Sequence, residues 1–141
     1  MLPRTLVVML VLATAAADNA AKDDVKKAQG DWRFVAVEIN GKDATDNFKD
    51  AKVAVKDDKV TVKLPDGETV AWTLKADGST KPKCIDFKND KGETSEGIYE
   101  LKDDELKVCV SFKAGASERP TDFTTSEGSD RVLWKLRRIK P

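Results

Sequence analysis

The stretch Ala51-Lys52-Val53-Ala54-Val55-Lys56-Asp57-Asp58-Lys59-Val60-Thr61-Val62-Lys63-Leu64 sets the reading of the whole chain. Valines recur at every second position on both sides of Asp57-Asp58, with lysine, alanine and threonine between them. Period-two alternation of this kind gives a strand one apolar and one polar face. Two such runs separated by two acidic residues predict a tight antiparallel hairpin. The next residues, Pro65-Asp66-Gly67, are turn formers, and they lead into a third alternating run in which Val70, Trp72 and Leu74 share a face.

The pattern continues outward in both directions. Runs at 31–39, 51–56, 59–64, 68–75, 83–88, 94–101, 105–112 and 131–139 are bounded by Asn40-Gly41, Asp77-Gly78, Asn89-Asp90-Lys91-Gly92 and Lys102-Asp103-Asp104. Eight strands joined by short turns between neighbours predict an all-β, eight-stranded antiparallel up-and-down barrel, which leaves no free sheet edge. A sandwich needs longer crossovers, and only the segment 113–130 is long enough to supply one. The expected inward rows include Val53, Val55, Val60, Val62, Ile85, Phe87, Leu106, Val108, Val110, Phe112, Val132, Trp134 and Leu136. The first strand breaks the rule. Trp32 and Phe34 fall on one face and Val35, Val37 and Ile39 on the other, so either a bulge switches its faces or other segments cover its outside.

Ahead of the strands, residues 20–29 alternate alanine with charge and meet Gly30, which predicts a short N-terminal helix. Earlier still, Arg4, the apolar run Leu6 to Leu12 and Ala15-Ala16-Ala17 have the layout of a secretory signal peptide. The apolar run is far short of the ~20 residues of a membrane-spanning helix. The expected organisation is a signal peptide over 1–17 and one domain over 18–141, secreted or periplasmic and soluble after cleavage. No cysteine precedes Cys84, so no lipid anchor is expected at the cleavage site.

Composition narrows the chemistry. Removing residues 1–17 from 141 leaves 124, with 24 basic and 25 acidic residues. This balance argues against nucleic acid as a partner, and the sequence has no basic run suited to anionic lipid. Histidine is absent, which removes histidine-based triads, His-ligated zinc and imidazole proton shuttles. The acidic pairs Asp23-Asp24, Asp57-Asp58 and Asp103-Asp104 lack the spacing of a calcium loop and read as solvated turn and helix residues. No catalytic residue, metal site or cofactor is expected, and neither is an enzyme. Cys84 and Cys109 lie on strands separated by a third, too far apart for a disulfide in a simple meander.

Gly30-Asp31-Trp32, at the junction of a short helix and the first strand, resembles the G-x-W opening of lipocalins. Further matches are Gly41-Lys42, Gly97-Ile98-Tyr99-Glu100-Leu101, Leu106-Lys107-Val108-Cys109, Arg119-Pro120-Thr121-Asp122-Phe123 and Leu136-Arg137-Arg138-Ile139-Lys140. With them the chain resembles a small lipocalin-like domain family of unknown function expanded in planctomycete bacteria. The resemblance implies a barrel whose last strand lays a basic residue over Trp32, the role open to Arg137 or Arg138. It implies no reaction and no ligand.

Two uses of such a barrel follow. A small apolar ligand inside it would meet Trp32, Phe34, Trp72, Tyr99 and Trp134, although so many bulky inward residues also suit a filled core. Alternatively, the open-end loops, chiefly 114–130, would engage another exported protein, with the barrel a monomer. The segment Arg119-Pro120-Thr121-Asp122-Phe123 has two readings, a lid or partner-binding loop, or a plug of one barrel end with Phe123 inward and Arg119 paired to Asp122 or another carboxylate.

Overall fold

A computed structural model of the chain describes residues 22–112 and 118–140. The signal peptide expected over 1–17, with its expected cleavage site, lies outside the described residues. So do Ala20 and Ala21 of the expected helix, which is seen over 22–27. Among the described residues, no helix is long and apolar enough to cross a membrane.

The strands are β1 (Gly30–Ile39), β2 (Lys42–Asp43), β3 (Lys52–Lys56), β4 (Lys59–Lys63), β5 (Thr69–Asp77), β6 (Lys83–Lys88), β7 (Thr94–Lys102), β8 (Glu105–Ser111) and β9 (Arg131–Arg138). The order β1-β3-β4-β5-β6-β7-β8-β9 is antiparallel throughout, and β9 returns to pair with β1, which closes an eight-stranded barrel. The two residues of β2 add a short ladder to the end of β1, opposite Glu38 and Ile39. The barrel expected from the alternation is thus the observed fold, and the sandwich is excluded.

Why β1 breaks alternation is now visible. Its pairing with β9 shifts by one residue between Phe34 and Ala36, a bulge that takes Val35 out of the ladder. Trp32 and Phe34 on one side of it and Val37 on the other therefore all point inward, and Val35 is left 43% exposed. Elsewhere alternation places the core as expected, with Val53, Val55, Val60, Val62, Leu74, Ile85, Phe87, Val108, Val110, Val132 and Leu136 buried together. Phe112 departs from the expected inward row. The β8 strand ends at Ser111, so no ladder holds Phe112 to the inner face, and it is 46% exposed.

The helix and Gly30 close one end of the barrel. Gly30 has φ +119°, a conformation that favours glycine, and a Cβ there would stand 3.4 Å from an Arg138 guanidinium nitrogen. Trp32 is fully buried, and its indole N–H donates to the Ala28 carbonyl at 2.9 Å. Arg138 lies across the outer side of that ring, its guanidinium carbon 4.5 Å from the centroid. Its Nη1 donates to the Gln29 carbonyl at 2.6 Å, its Nη2 to the Lys27 carbonyl, and its Nε pairs with Asp104 at 3.2 Å. Arg137 faces outward and pairs with Glu105 at 3.3 Å. Of the two arginines, Arg138 packs on Trp32.

Candidate binding site

Toward the loop end of the barrel, five rings stack edge to face or tilted. Trp134 lies 5.9–6.0 Å from the centroids of Phe34, Phe87 and Trp72, and Phe48 joins through Phe34 at 5.4 Å. Such edge contacts stabilise aromatic clusters beyond their buried area. The alternating register supplies the inner-face rings of this layer, because Phe34 stands opposite Leu136, Val60 opposite Trp72, and Leu74 opposite Phe87.

Between this layer and the helix remains a cavity of about 60 Å³. Val25 of the helix and Ala28 just after it line it from one side and Phe34, Phe87 and Trp134 from the other, with valines and leucines around its girth. Its polar neighbours are Asp24 and Tyr99. Tyr99 is buried, and its hydroxyl donates to Asp24 Oδ2 at 2.7 Å, while Lys83 Nζ meets the same oxygen at 2.8 Å from outside. Burial first, and the bond to the Asp24 carboxylate second, hold the Tyr99 phenol well above its ordinary range. It stays protonated and a donor.

Three of the five residues proposed as ligand walls, Phe34, Tyr99 and Trp134, line this cavity. Two do not. Trp32 is enclosed beneath Arg138, and Trp72 is held in the aromatic layer, half-buried.

The segment 118–130 corrects the reading of it as an end plug. Phe123 packs on the outer wall against Ile98, Cys109 and Leu133, three outward residues of β7, β8 and β9. The cause is the outward parity of these apolar residues, which a strap must cover. Lys107 closes over the Phe123 ring at 4.7 Å. Arg119 pairs with Asp86 at 2.8 Å and Glu96 at 3.6 Å, not with Asp122, and donates to the Gly97 carbonyl at 2.8 Å. Pro120 is buried, Thr121 is exposed, and Asp122 meets Arg131 at 3.5 Å. Further along, Thr125 donates to Glu38 and accepts from the Gly41 N–H at 2.9 Å, and Asn40 accepts from the Asp130 N–H at 2.7 Å. These bonds fasten the strap to the first loop of the open end.

Both cysteines are free and both face outward. Ile98 pairs with Cys84 on one side and Cys109 on the other, so one strand lies between the thiols. Burial under the strap pushes the Cys109 thiol up to about 11. Among the described residues, no group of three or more acidic or cysteine side chains is placed to hold a metal ion.

Protein-family models, curated proteins and solved structures give no match to this chain.

One arrangement was not visible in the sequence. Arg33 on β1 is directly opposite Arg137 of β9 on one side and Lys52 of β3 on the other, and Lys52 is opposite Lys63 of β4. Four cations far apart in the chain form one exposed row across four adjacent strands. Lys56 opposite Lys59 adds a second cationic pair on the same wall. The signal lay in the register, not in any run of basic residues.

Proposed function

We propose that this protein is an exported, non-enzymatic lipocalin-like barrel that acts as an interaction module through its exterior, with its interior serving as a packed core. The observation that carries this reading is the cavity. At about 60 Å³ it is well below the ~300 Å³ at which small-molecule sites begin, and below the ~150 Å³ of an apolar void that admits benzene. The aromatic layer fills the volume a carrier would keep open, and the helix with its Asp24–Tyr99 bond covers the other end. The loop cluster is correspondingly well braced, with the strap tied to Gly41, Glu38 and Asn40. The G-x-W opening, the Trp32–Arg138 stack and the strap residues Arg119 to Phe123 support membership of the planctomycete lipocalin-like family.

A second reading keeps the interior as a site for a very small apolar molecule, favoured by the almost wholly apolar lining. Titration of the purified protein with xenon under pressure, a heavy apolar atom small enough for a void of this size and a quencher of Trp emission, separates the two. The interaction module predicts no saturable quenching. A saturable one-to-one complex that disappears when Val108→Phe fills the cavity would overturn it in favour of the carrier.

A further inference from the structure

We propose that the outer wall formed by β9, β1, β3 and β4 is a docking surface for a linear acidic polysaccharide, held by the row Arg137, Arg33, Lys52 and Lys63. This goes beyond the general exterior-binding role by assigning the surface and the chemistry of its partner.

The register carries the argument. Arg33 stands opposite Arg137 and Lys52, and Lys52 opposite Lys63, so three successive cross-strand pairs join like charges. Directly opposed like charges destabilise a sheet. Among the described residues, Arg33, Lys52, Lys59 and Lys63 have no carboxylate within salt-bridge distance, and Arg137 shares its charge with Glu105 at the end of the row. The usual reason for lysines along a strand, protection of a free edge, does not apply, because all four strands have neighbours on both sides. The one acid among the outward residues of these strands near the row is Asp31, beside Ala54. Excess positive charge is therefore concentrated on one wall of a chain with no net charge.

Shape selects the partner. Successive strands are ~4.8 Å apart, so the row is ~14 Å long. It also spans three of the eight inter-strand steps around the barrel, a strongly curved path. A flat membrane touches only part of such a path, whereas a flexible chain follows it. On the helix side of the row the outward residues are Asp31, Ala54, Thr61 and Ala71, each opposite the next on β1, β3, β4 and β5. They form a floor of short side chains with no aromatic ring on which a base could stack, and single-stranded nucleic acid relies on such rings. A sugar polymer with an anionic group on successive units needs the cations and a smooth floor, and both are present.

The test uses dextran sulfate as the acidic polymer, with neutral dextran, a single-stranded oligonucleotide and anionic phospholipid vesicles as comparisons, by isothermal titration at low salt. Binding to dextran sulfate is expected, and to neutral dextran not. Lys52→Glu with Lys63→Glu should weaken it at least tenfold and reduce the dependence of log K on log salt by about one per lysine. Lys88→Glu with Lys91→Glu, on β6 and the turn after it, makes the same change in net charge and should have little effect. The milder pair Lys52→Gln and Lys63→Gln, checked by circular dichroism, keeps the test decisive if the reversal perturbs folding. Equal loss in both double reversals, no binding to dextran sulfate, or tighter binding to the oligonucleotide or the vesicles would each overturn the proposal.

Discussion

Arg138 covers the buried ring of Trp32 at 4.5 Å and at the same time bonds the carbonyls of Lys27 and Gln29, so one side chain fastens the helix, the first strand and the last strand together. Arg137, one residue earlier, does none of this. The contrast follows from parity alone, since neighbouring strand residues point to opposite faces.

Arg138→Ala should therefore destabilise the barrel by roughly 2–4 kcal/mol, from the lost stacking and the charged hydrogen bonds. Arg137→Ala, which breaks a half-exposed pair with Glu105, should cost less than about 1 kcal/mol. Urea unfolding of both variants measures the difference. Equal midpoints would show that the stack carries no special weight.

Filling the interior cavity should stabilise the fold. Ala76 lines it from β5, and Ala76→Val adds two methyl groups where a β-branched residue suits the strand. A gain of about 1 kcal/mol is expected in thermal or urea unfolding. Phe87→Ala, in the aromatic layer, should cost about 3–5 kcal/mol.

Alkaline pH should weaken the protein through the raised thiol of Cys109. Its folded value of about 11 exceeds the model-compound value of 9.0. Below about 9 the thiol is protonated in both states and its contribution is constant. Between about 9 and 11 the unfolded chain loses the proton while the folded chain keeps it, so stability falls with rising pH, by about 2–3 kcal/mol in all. Tyr99, also raised, adds a loss of the same sign above the ordinary phenol range. Unfolding of Cys109→Ala and Tyr99→Phe across pH 8–11 separates the two, each variant showing a shallower decline than the parent chain.

The strap can be tested with a thiol reagent such as DTNB. Cys84 is half-buried and Cys109 fully buried beneath Phe123, so one thiol should react in native protein and both in urea. Phe123→Ala should bring the second thiol into reaction without denaturant and cost about 1–3 kcal/mol. A Cys109 that stays protected in that variant would mean that the strap is held elsewhere, at Arg119 or Pro120.

The alternation of residues 51–64 carried the barrel because each valine position had the same meaning before and after folding. Every strand boundary fell within a few residues of its sequence position for the same reason. The face switch in β1 was legible as a conflict between Trp32 and Val37, but the bulge that resolves it depends on the partner β9. The outward seat of Phe123 was not legible because Ile98, Cys109 and Leu133 each sit in an apolar run whose neighbours face inward, and only their alignment on three strands makes a patch that Phe123 can cover. The cationic row was hidden for a related reason, since Arg33 and Arg137 are neighbours only through register. The size of the cavity was not legible at all, because it depends on the tilt of five rings.

The pairing that closes the barrel also sets the order in which it can form. Seven of the eight barrel ladders join consecutive barrel strands of the chain, whereas β1 meets β9 across more than a hundred residues, with Trp32 opposite Arg138. Local hairpins assemble quickly, and distant pairings wait on loop closure. Until β9 arrives, the growing meander presents two bare strands to its surroundings, one of them carrying Trp32 and Phe34. A chain delivered from its N-terminus must therefore hold β1 unpaired on one side until its final strand is available.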